Sequence, residues 1–258
     1  MIIDIFPFFN EFEILKIRLE ELYNFVDKFV IVENNYSFRG NKKEYNFENH
    51  KFLYKEYLDK IEYLKISKIG HEDIHKNSAL ESNTLKNVSE TDLILFGDVD
   101  EIPNSLRINE IKELNSEIIT FHNKMFLYRL NGLVKNQYGL NFDWYGTVCF
   151  KPNLLTNFSL TQIRDKLRGN GLILTDSGWH FTSIGTNQQI LDKFLNWGHW
   201  SEIQPSIEYI NECINNGKHF HPNCQNLKID YQKHLNFLPL YVQNHLHEFN
   251  HLIKKEYF

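Results

Sequence analysis

Thr91 to Pro103 reads TDLILFGDVDEIP, and its two halves differ sharply in chemistry. Asp92-Leu93-Ile94-Leu95-Phe96 is a short apolar run with a β-branched residue and an aromatic, the composition of a strand buried on both faces. Gly97, Asp98, Val99, Asp100 and Glu101 follow, and Ile102-Pro103 closes the segment because proline cannot continue a ladder. If Asp98 to Asp100 is extended, residues two apart point to the same side and the two carboxylates converge. Such carboxylates repel each other unless a cation lies between them. A divalent ion that also neutralises a phosphate-bearing ligand meets that need. The alternative is a solvated acidic turn after a core strand. Position favours the ligand site, because in open α/β sheets ligands gather at the carboxyl ends of strands.

Working outward, the flanking chain supplies the rest of such a sheet. Ile2 to Phe9 reads as a first strand, with Asn10 as the N-cap and Glu11 and Glu13 in the first turn of a helix running to about Asn24. Lys28 to Glu33, KFVIVE, is a second buried strand ending in the polar cluster Glu33-Asn34-Asn35. Phe52 to Leu58 is predicted as a short helix, Ile61 to Ile66 as a third strand, and Asn77 to Val88 as a helix leading into the central strand. Strand and helix alternating in this way specify an α/β class with a largely parallel sheet and right-handed crossovers.

Beyond Pro103 the rhythm changes. Ser105 to Leu114 reads as a helix, and Glu117 to Leu133 as one or two strands turning at Asn131-Gly132. Trp144 to Lys151 is a strand stopped by Pro152, and Leu160 to Leu167 a short helix stopped by Gly169-Asn170-Gly171. Leu172 to Ile184 is a strand broken at Ser177-Gly178, and Thr186 caps a helix to about Trp197. A further helix to Asn216 precedes a His- and Asn-rich tail. The expected organisation is one α/β domain: a nucleotide-binding half over 1–103, a mixed acceptor-side half over 104–204, and a helical extension over 205–258.

Bulk properties narrow the function classes. The chain has 258 residues, 42% hydrophobic and 24% charged, with 12 Gly and 6 Pro, which suits a folded domain with a substantial core. A formal charge of −5 favours neither nucleic acid nor an anionic membrane as partner. The 21 Phe, 13 Tyr and 4 Trp suit ligands with flat faces, although rings mostly fill cores. Three irregularly spaced cysteines, Cys149, Cys213 and Cys224, describe no disulfide framework and suit a reducing compartment. The amino-terminal stretch lacks the features of a signal peptide and no run is long and apolar enough to span a bilayer, so the expectation is a soluble, cytoplasmic protein.

Taken together, Phe9-Asn10-Glu11-Phe12, Val30-Ile31-Val32-Glu33-Asn34-Asn35, Asp98-Val99-Asp100-Glu101-Ile102-Pro103, Trp144-Tyr145-Gly146-Thr147-Val148 and Gly178-Trp179-His180-Phe181 resemble glycosyltransferase family 17. That family includes the β-1,4-mannosyl-glycoprotein N-acetylglucosaminyltransferases and many bacterial and viral relatives. The resemblance runs from about Phe6 to about Glu202. It implies a GT-A fold, a nucleotide-sugar donor, a glycan acceptor and inversion at the anomeric carbon. It also implies work in a bacterial cell, a virus-infected host cell or a virion. The sequence departs from the family pattern at Glu81-Ser82-Asn83, where relatives carry Arg before the Asn; a donor contact is missing or replaced there.

The candidate residues follow from the chemistry of sugar transfer. A diphosphate leaves well only when its developing charge is neutralised, and Mn²⁺ or Mg²⁺ held by Asp98 and Asp100 would do this. His180 is the candidate to complete the metal site, bind the diphosphate or orient the acceptor. Arg164 and Arg168, four apart on the expected helix, suit phosphate oxygens, while Asn10, Glu33 and Asn83 are further donor-side candidates, Glu33 for a uracil or ribose. An inverting transferase needs a base for the acceptor hydroxyl; Asp176 is the first choice, with Asp143 and Glu101 as alternatives. Trp144, Trp179 and His199 are the acceptor-side candidates. The histidines from His219 to His251 match no four-ligand zinc framework. Two other functions remain: a sugar nucleotidyltransferase, which predicts a glycine-rich phosphate loop after the first strand that Phe8 to Phe12 does not provide, and an inactive glycan-binding relative.

Overall fold

The computed structural model describes residues 1–114, 116–196 and 205–255. In chain order its first elements are β1 (Ile2–Pro7), α1 (Phe12–Leu22), β2 (Lys28–Asn34), α2 (Asn46–His50), β3 (Ile61–Ile66), α3 (Glu72–Asn77), α4 (Asn83–Lys86), β4 (Leu93–Phe96), β5 (Glu101–Pro103) and α5 (Ser105–Ile111). There follow β6 (Ile118–Leu127), β7 (Gly132–Lys135), β8 (Asp143–Phe150), α6 (Leu160–Gln162), β9 (Leu172–Leu174) and β10 (Gly178–Thr182). The last are α7 (Asn187–Asn196), α8 (Ile207–Asn215), β11 (Lys228–Tyr231), α9 (Leu240–Asn244) and α10 (Leu246–Phe249). These elements make up a mixed α/β protein with two compact units, Met1–Asn123 with Tyr145–Gly178, and Lys124–Trp144 with Trp179–Phe258.

The first unit is built on strands in the order β8-β4-β1-β2-β3. β4, β1, β2 and β3 run parallel, and β8 is antiparallel to β4. Alternation along the strands divides two apolar layers. Ile2, Phe6, Phe29, Ile31 and Leu95 face one side and meet Leu15, Leu19 and Leu22 of α1. Ile3, Ile5, Val30, Val32, Ile94 and Phe96 face the other and meet Ala79, Leu85, Leu160 and Ile163. Each fully buried leucine of α1 contributes about 1.5–3 kcal/mol. A sheet covered on both faces explains why its strands read as nearly continuous apolar runs.

In the second unit, Trp179 to Thr182 of β10 pair in parallel with Lys124 to Leu127 of β6, β7 pairs with β6 through Phe126 and Leu133, and β11 is antiparallel to β7. Its core joins Leu127, Tyr128 and Val134 to Ile190 and Phe194 of α7 and Ile210, Cys213 and Ile214 of α8. Asn131, fully buried, donates to the carbonyls of Gln232 and Lys254 and accepts from Lys254 N, which ties the carboxyl-terminal chain to the β6–β7 connection.

Several local expectations change. The helix expected from Asn77 to Val88 is two helices with a 3-10 turn at Ser78–Glu81 between them. Ser82 is extended there (ψ 148°), and its hydroxyl accepts from Leu85 N, starting α4 afresh. Asn10 is not the cap of α1: Glu11 occupies that position, and its carboxylate accepts from Phe9 N and Asn10 N. Asp98 to Asp100 is a turn rather than an extension of β4, closed by Glu101 N donating to Asp98 O at 3.0 Å.

Candidate active site

The acidic turn follows directly on β4, at the carboxyl end of the parallel strands, and it is held from below by Arg18. From the buried face of α1, Nη1 of Arg18 donates to the carbonyls of Asp98 (2.9 Å), Val99 (3.3 Å) and Glu101 (2.9 Å). Its Nε and Nη2 grip Asp4 of β1, so a single guanidinium ties the first strand, the first helix and the turn together. Thr147 of β8 adds a hydroxyl donor to Glu101 O at 2.7 Å. With three carbonyls drawn toward one cation the segment curls, which is why Asp98 and Asp100 do not follow the two-residue alternation of a strand.

Glu101 is the anchor of this turn. It is buried, its Oε2 accepts from Asp98 N at 3.1 Å, and its Oε1 meets Arg164 at 2.5 Å, with Arg168 at 4.0 Å. The geometry therefore gives Glu101 a structural task in place of the base role considered for it.

Two further cations converge on Asp98. Lys76 Nζ, on the last turn of α3, is 2.7 Å from Oδ1, and Arg164 Nη2, on the π-helical turn Ile163–Leu167 that continues α6, is 2.8 Å from Oδ2. Both cations are buried, while the Asp98 side chain is 30% exposed and so remains open to a ligand. A reciprocal pair of bonds fixes the two helices to each other: Asn77 Nδ2 donates to Thr161 Oγ1 and Thr161 N donates to Asn77 Oδ1. Lys76 also pairs with Glu72 one turn earlier. Burial alone would push the Lys76 ammonium down, but Asp98 and Glu72 hold it above its ordinary value. Arg164 is likewise raised, its burial outweighed by Asp98 and Glu101. Arg168, expected to share a helix face with Arg164, lies one residue past that turn at ψ 125° and donates to Tyr145 O at 2.8 Å; burial and then Arg164 push it down. Asp100 is buried in the turn itself.

The Asp176 turn is docked beside the same motif. Asn104 N, one residue beyond β5, donates to Ser177 O at 2.7 Å, and a Cβ on Gly178 would fall 2.2 Å from Ile102 O. Ser177 N donates to His122 O. Asp176 is exposed and sits at φ 48°, a left-handed conformation that a non-glycine side chain rarely adopts and that is concentrated at functional turns.

Other donor-side expectations meet a different structure. Glu33 is fully buried, with Asn46 N (2.6 Å) and Lys43 Nζ (2.6 Å) on Oε1 and Phe47 N (2.9 Å) and the Tyr63 hydroxyl (2.8 Å) on Oε2. It anchors the start of α2 instead of presenting an acceptor to a base or ribose. Asn10 is half-buried beside the Glu11 carboxylate. Asn83 opens α4, is exposed, and gives its N–H to Glu62.

In the second unit, Trp144 and His180 form a ring pair with centroids 5.2 Å apart, and Asp143 opens β8 beside Trp144. Trp179 is buried and donates Nε1 to Phe237 O at 2.7 Å, so its ring belongs to the core and not to a sugar-stacking surface. His199 lies outside the described residues. Lys76 and Arg18 were not singled out by sequence; each reads as an ordinary cation on a helix, and only the spacing of Asp4 within an apolar strand hints at a buried partner.

The profile of glycosyltransferase family 17 matches residues 1–213. No curated protein matches the chain at a significant level. Solved structures that match include the crystal structure of 4-diphosphocytidyl-2C-methyl-D-erythritol synthase, at 14% sequence identity and a TM-score of 0.45, covering 67% of this chain and 88% of that one.

Proposed function

The chain belongs to glycosyltransferase family 17 and is a glycosyltransferase enzyme, and from that premise we propose that it transfers N-acetylglucosamine from UDP onto a glycan hydroxyl with inversion, on a GT-A-type scaffold. The observation that carries the reading is the acidic turn after β4 at the carboxyl end of parallel strands, where Asp98 meets the buried cations Lys76 and Arg164, Glu101 meets Arg164, and Asp100 lies buried between them in sequence.

Divalent-ion dependence is part of the proposal. Among the described residues no group of three or more His, Cys, Asp or Glu side chains is assembled to hold a metal. Two carboxylates with the remaining ligands drawn from donor phosphates and water suit Mg²⁺ or Mn²⁺, and each carboxylate oxygen carries two lone-pair directions, so an oxygen that accepts from Lys76 or Arg164 still has ligand capacity. Asp98 and Asp100 would hold the ion, which would neutralise the departing diphosphate. Arg164 and Arg168 would contact the phosphates, and Asp176, exposed on its docked turn, would take the acceptor proton.

The nucleotidyltransferase alternative gains no support after β1. Phe9 N and Asn10 N, the groups a phosphate loop would offer, are given to the Glu11 carboxylate. The reading is tested by incubating the protein with a panel of nucleotide sugars and a glycan acceptor mixture in Mn²⁺ or in EDTA. Release of UDP from UDP-N-acetylglucosamine in Mn²⁺ only is expected. Release from none, with no metal-dependent binding, overturns it.

A further inference from the structure

Lys76 is a buried ammonium that the proposed chemistry has not used. Its side chain is 3% exposed and sits between Glu72, 41% exposed, and Oδ1 of Asp98. The other oxygen of Asp98 takes Arg164, which also pairs with Glu101. Acid and base thus alternate through Glu72, Lys76, Asp98, Arg164 and Glu101, and the carboxylate expected to hold a dication is the one that faces two cations. A metal ion approaching Asp98 meets like charges within a few ångströms, in surroundings that screen less than water. Conversely, two buried cations 2.7 and 2.8 Å from the two oxygens of one anion form the pattern that a phosphate group satisfies, with Asp98 in its place.

We propose that Lys76 and Arg164 exchange partners when the donor binds: their cations pass from the oxygens of Asp98 to those of the diphosphate, and the released carboxylate becomes a ligand of the divalent ion. The inference rests on the donor-and-metal reading above and adds a coupling to it. Neither step is favourable alone. A diphosphate without the ion leaves Asp98 uncompensated beside new negative charge, and an ion without the diphosphate must compete with Lys76 and Arg164. Together they satisfy every charge, so each ligand raises the affinity of the other by the same factor. The Asn77–Thr161 clamp ties the helices that carry the two cations to each other, so the exchange proceeds by side-chain rotation.

Calorimetric titration of the full chain with UDP and Mn²⁺, each alone and in the presence of the other, tests this without turnover. In the wild type, saturating UDP is expected to tighten Mn²⁺ about tenfold or more, and Mn²⁺ to tighten UDP equally. Lys76→Gln is expected to move the two single-ligand affinities in opposite directions: UDP in EDTA about tenfold weaker, Mn²⁺ alone severalfold tighter, with the coupling reduced. Lys76→Arg retains the wild-type pattern. Glu72→Gln, on the exposed side of α3, leaves Lys76 wholly to Asp98 and is expected to weaken Mn²⁺ alone, which keeps the test available should Lys76→Gln not fold. A Lys76→Gln or Glu72→Gln protein in which both affinities fall together, or neither changes, overturns the exchange and leaves the donor reading standing. A wild type that binds neither UDP nor Mn²⁺ overturns both.

Discussion

Arg18 and Asp4 form a bidentate ion pair, Nε to Oδ2 at 2.8 Å and Nη2 to Oδ1 at 2.6 Å, with neither side chain exposed. A pair this deep gains little net stability, because desolvating two charges offsets their attraction. Its third nitrogen, Nη1, instead holds the carbonyls of the acidic turn. Arg18→Met alone should therefore destabilise the fold by about 3–5 kcal/mol, since it leaves Asp4 buried and unpaired. The double variant Asp4→Leu with Arg18→Met should recover most of that loss in urea unfolding yet stay deficient in UDP release. Recovery of activity along with stability would show that Arg18 serves the core and not the turn.

Asp100→Ala probes the turn from above. The fold is expected to survive, with an unfolding free energy within about 1 kcal/mol of the wild type. Mn²⁺-dependent binding of UDP-N-acetylglucosamine should be lost, and turnover should fall by about a hundredfold or more. Unchanged UDP release from a folded Asp100→Ala protein removes the metal role assigned to it.

Two glycines separate packing from conformation. A Cβ on Gly178 would lie 2.2 Å from the Ile102 carbonyl and 2.8 Å from Asn123 Oδ1, both within the first unit, and a backbone oxygen has little room to retreat. Gly139 has nothing within 4 Å of such a Cβ but sits at φ +78°. Gly178→Ala should cost about 1–3 kcal/mol through overpacking and shift the Asp176 turn, lowering turnover as well. Gly139→Ala should cost about 1 kcal/mol from backbone strain alone and leave turnover unchanged. Thermal unfolding and UDP release, measured side by side, check both.

What could be read from sequence, and what could not, follows from how each residue finds its partner. Ile61–Ile66, a half-buried strand, was legible as β3 to the residue, and β2 and β4 nearly so because strands buried on both faces are nearly unbroken apolar runs. The acidic turn was legible because carboxylates directly after such a run are rare. Its shape was not: extended geometry was the local expectation, and the curl is imposed by a guanidinium 80 residues away from Asp98. Lys76 was missed for the same reason, since a lysine one turn after Glu72 looks like a solvated helical pair. Trp179 misled in the opposite sense: its place in a Gly-Trp-His motif suggested an exposed ring, but β10 is buried from Gly178 to Phe181 and the indole donates to Phe237 O.

Two buried histidines set the acid limit of the fold. His219 is pushed down from 6.5 to about 4, first by burial and then by His221, and its Nδ1 accepts from His221 N at 3.1 Å, a bond that a proton on Nδ1 would break. His75 is pushed down to about 4 as well, first by burial and then by Lys43. Both are neutral in the folded chain at pH values where the unfolded chain has begun to bind protons. Stability is therefore full above about pH 6.5 and falls as pH drops toward about 4, by at most about 1.4 kcal/mol per pH unit for each histidine. Carboxylates such as Glu62 and Asp92, lowered from 4.5 and 3.8, add their loss only at the acid end, while Glu21, raised from 4.5 by burial, acts in the opposite sense. The window from pH 6.5 to 5 thus lies above the lowered carboxylates and carries the histidine slope, which Glu21 can only reduce. Urea unfolding across it should show a falling free energy in the wild type and about half that slope in His219→Gln. A wild-type free energy that is flat from pH 6.5 to 5 would show that neither imidazole is held neutral by its surroundings.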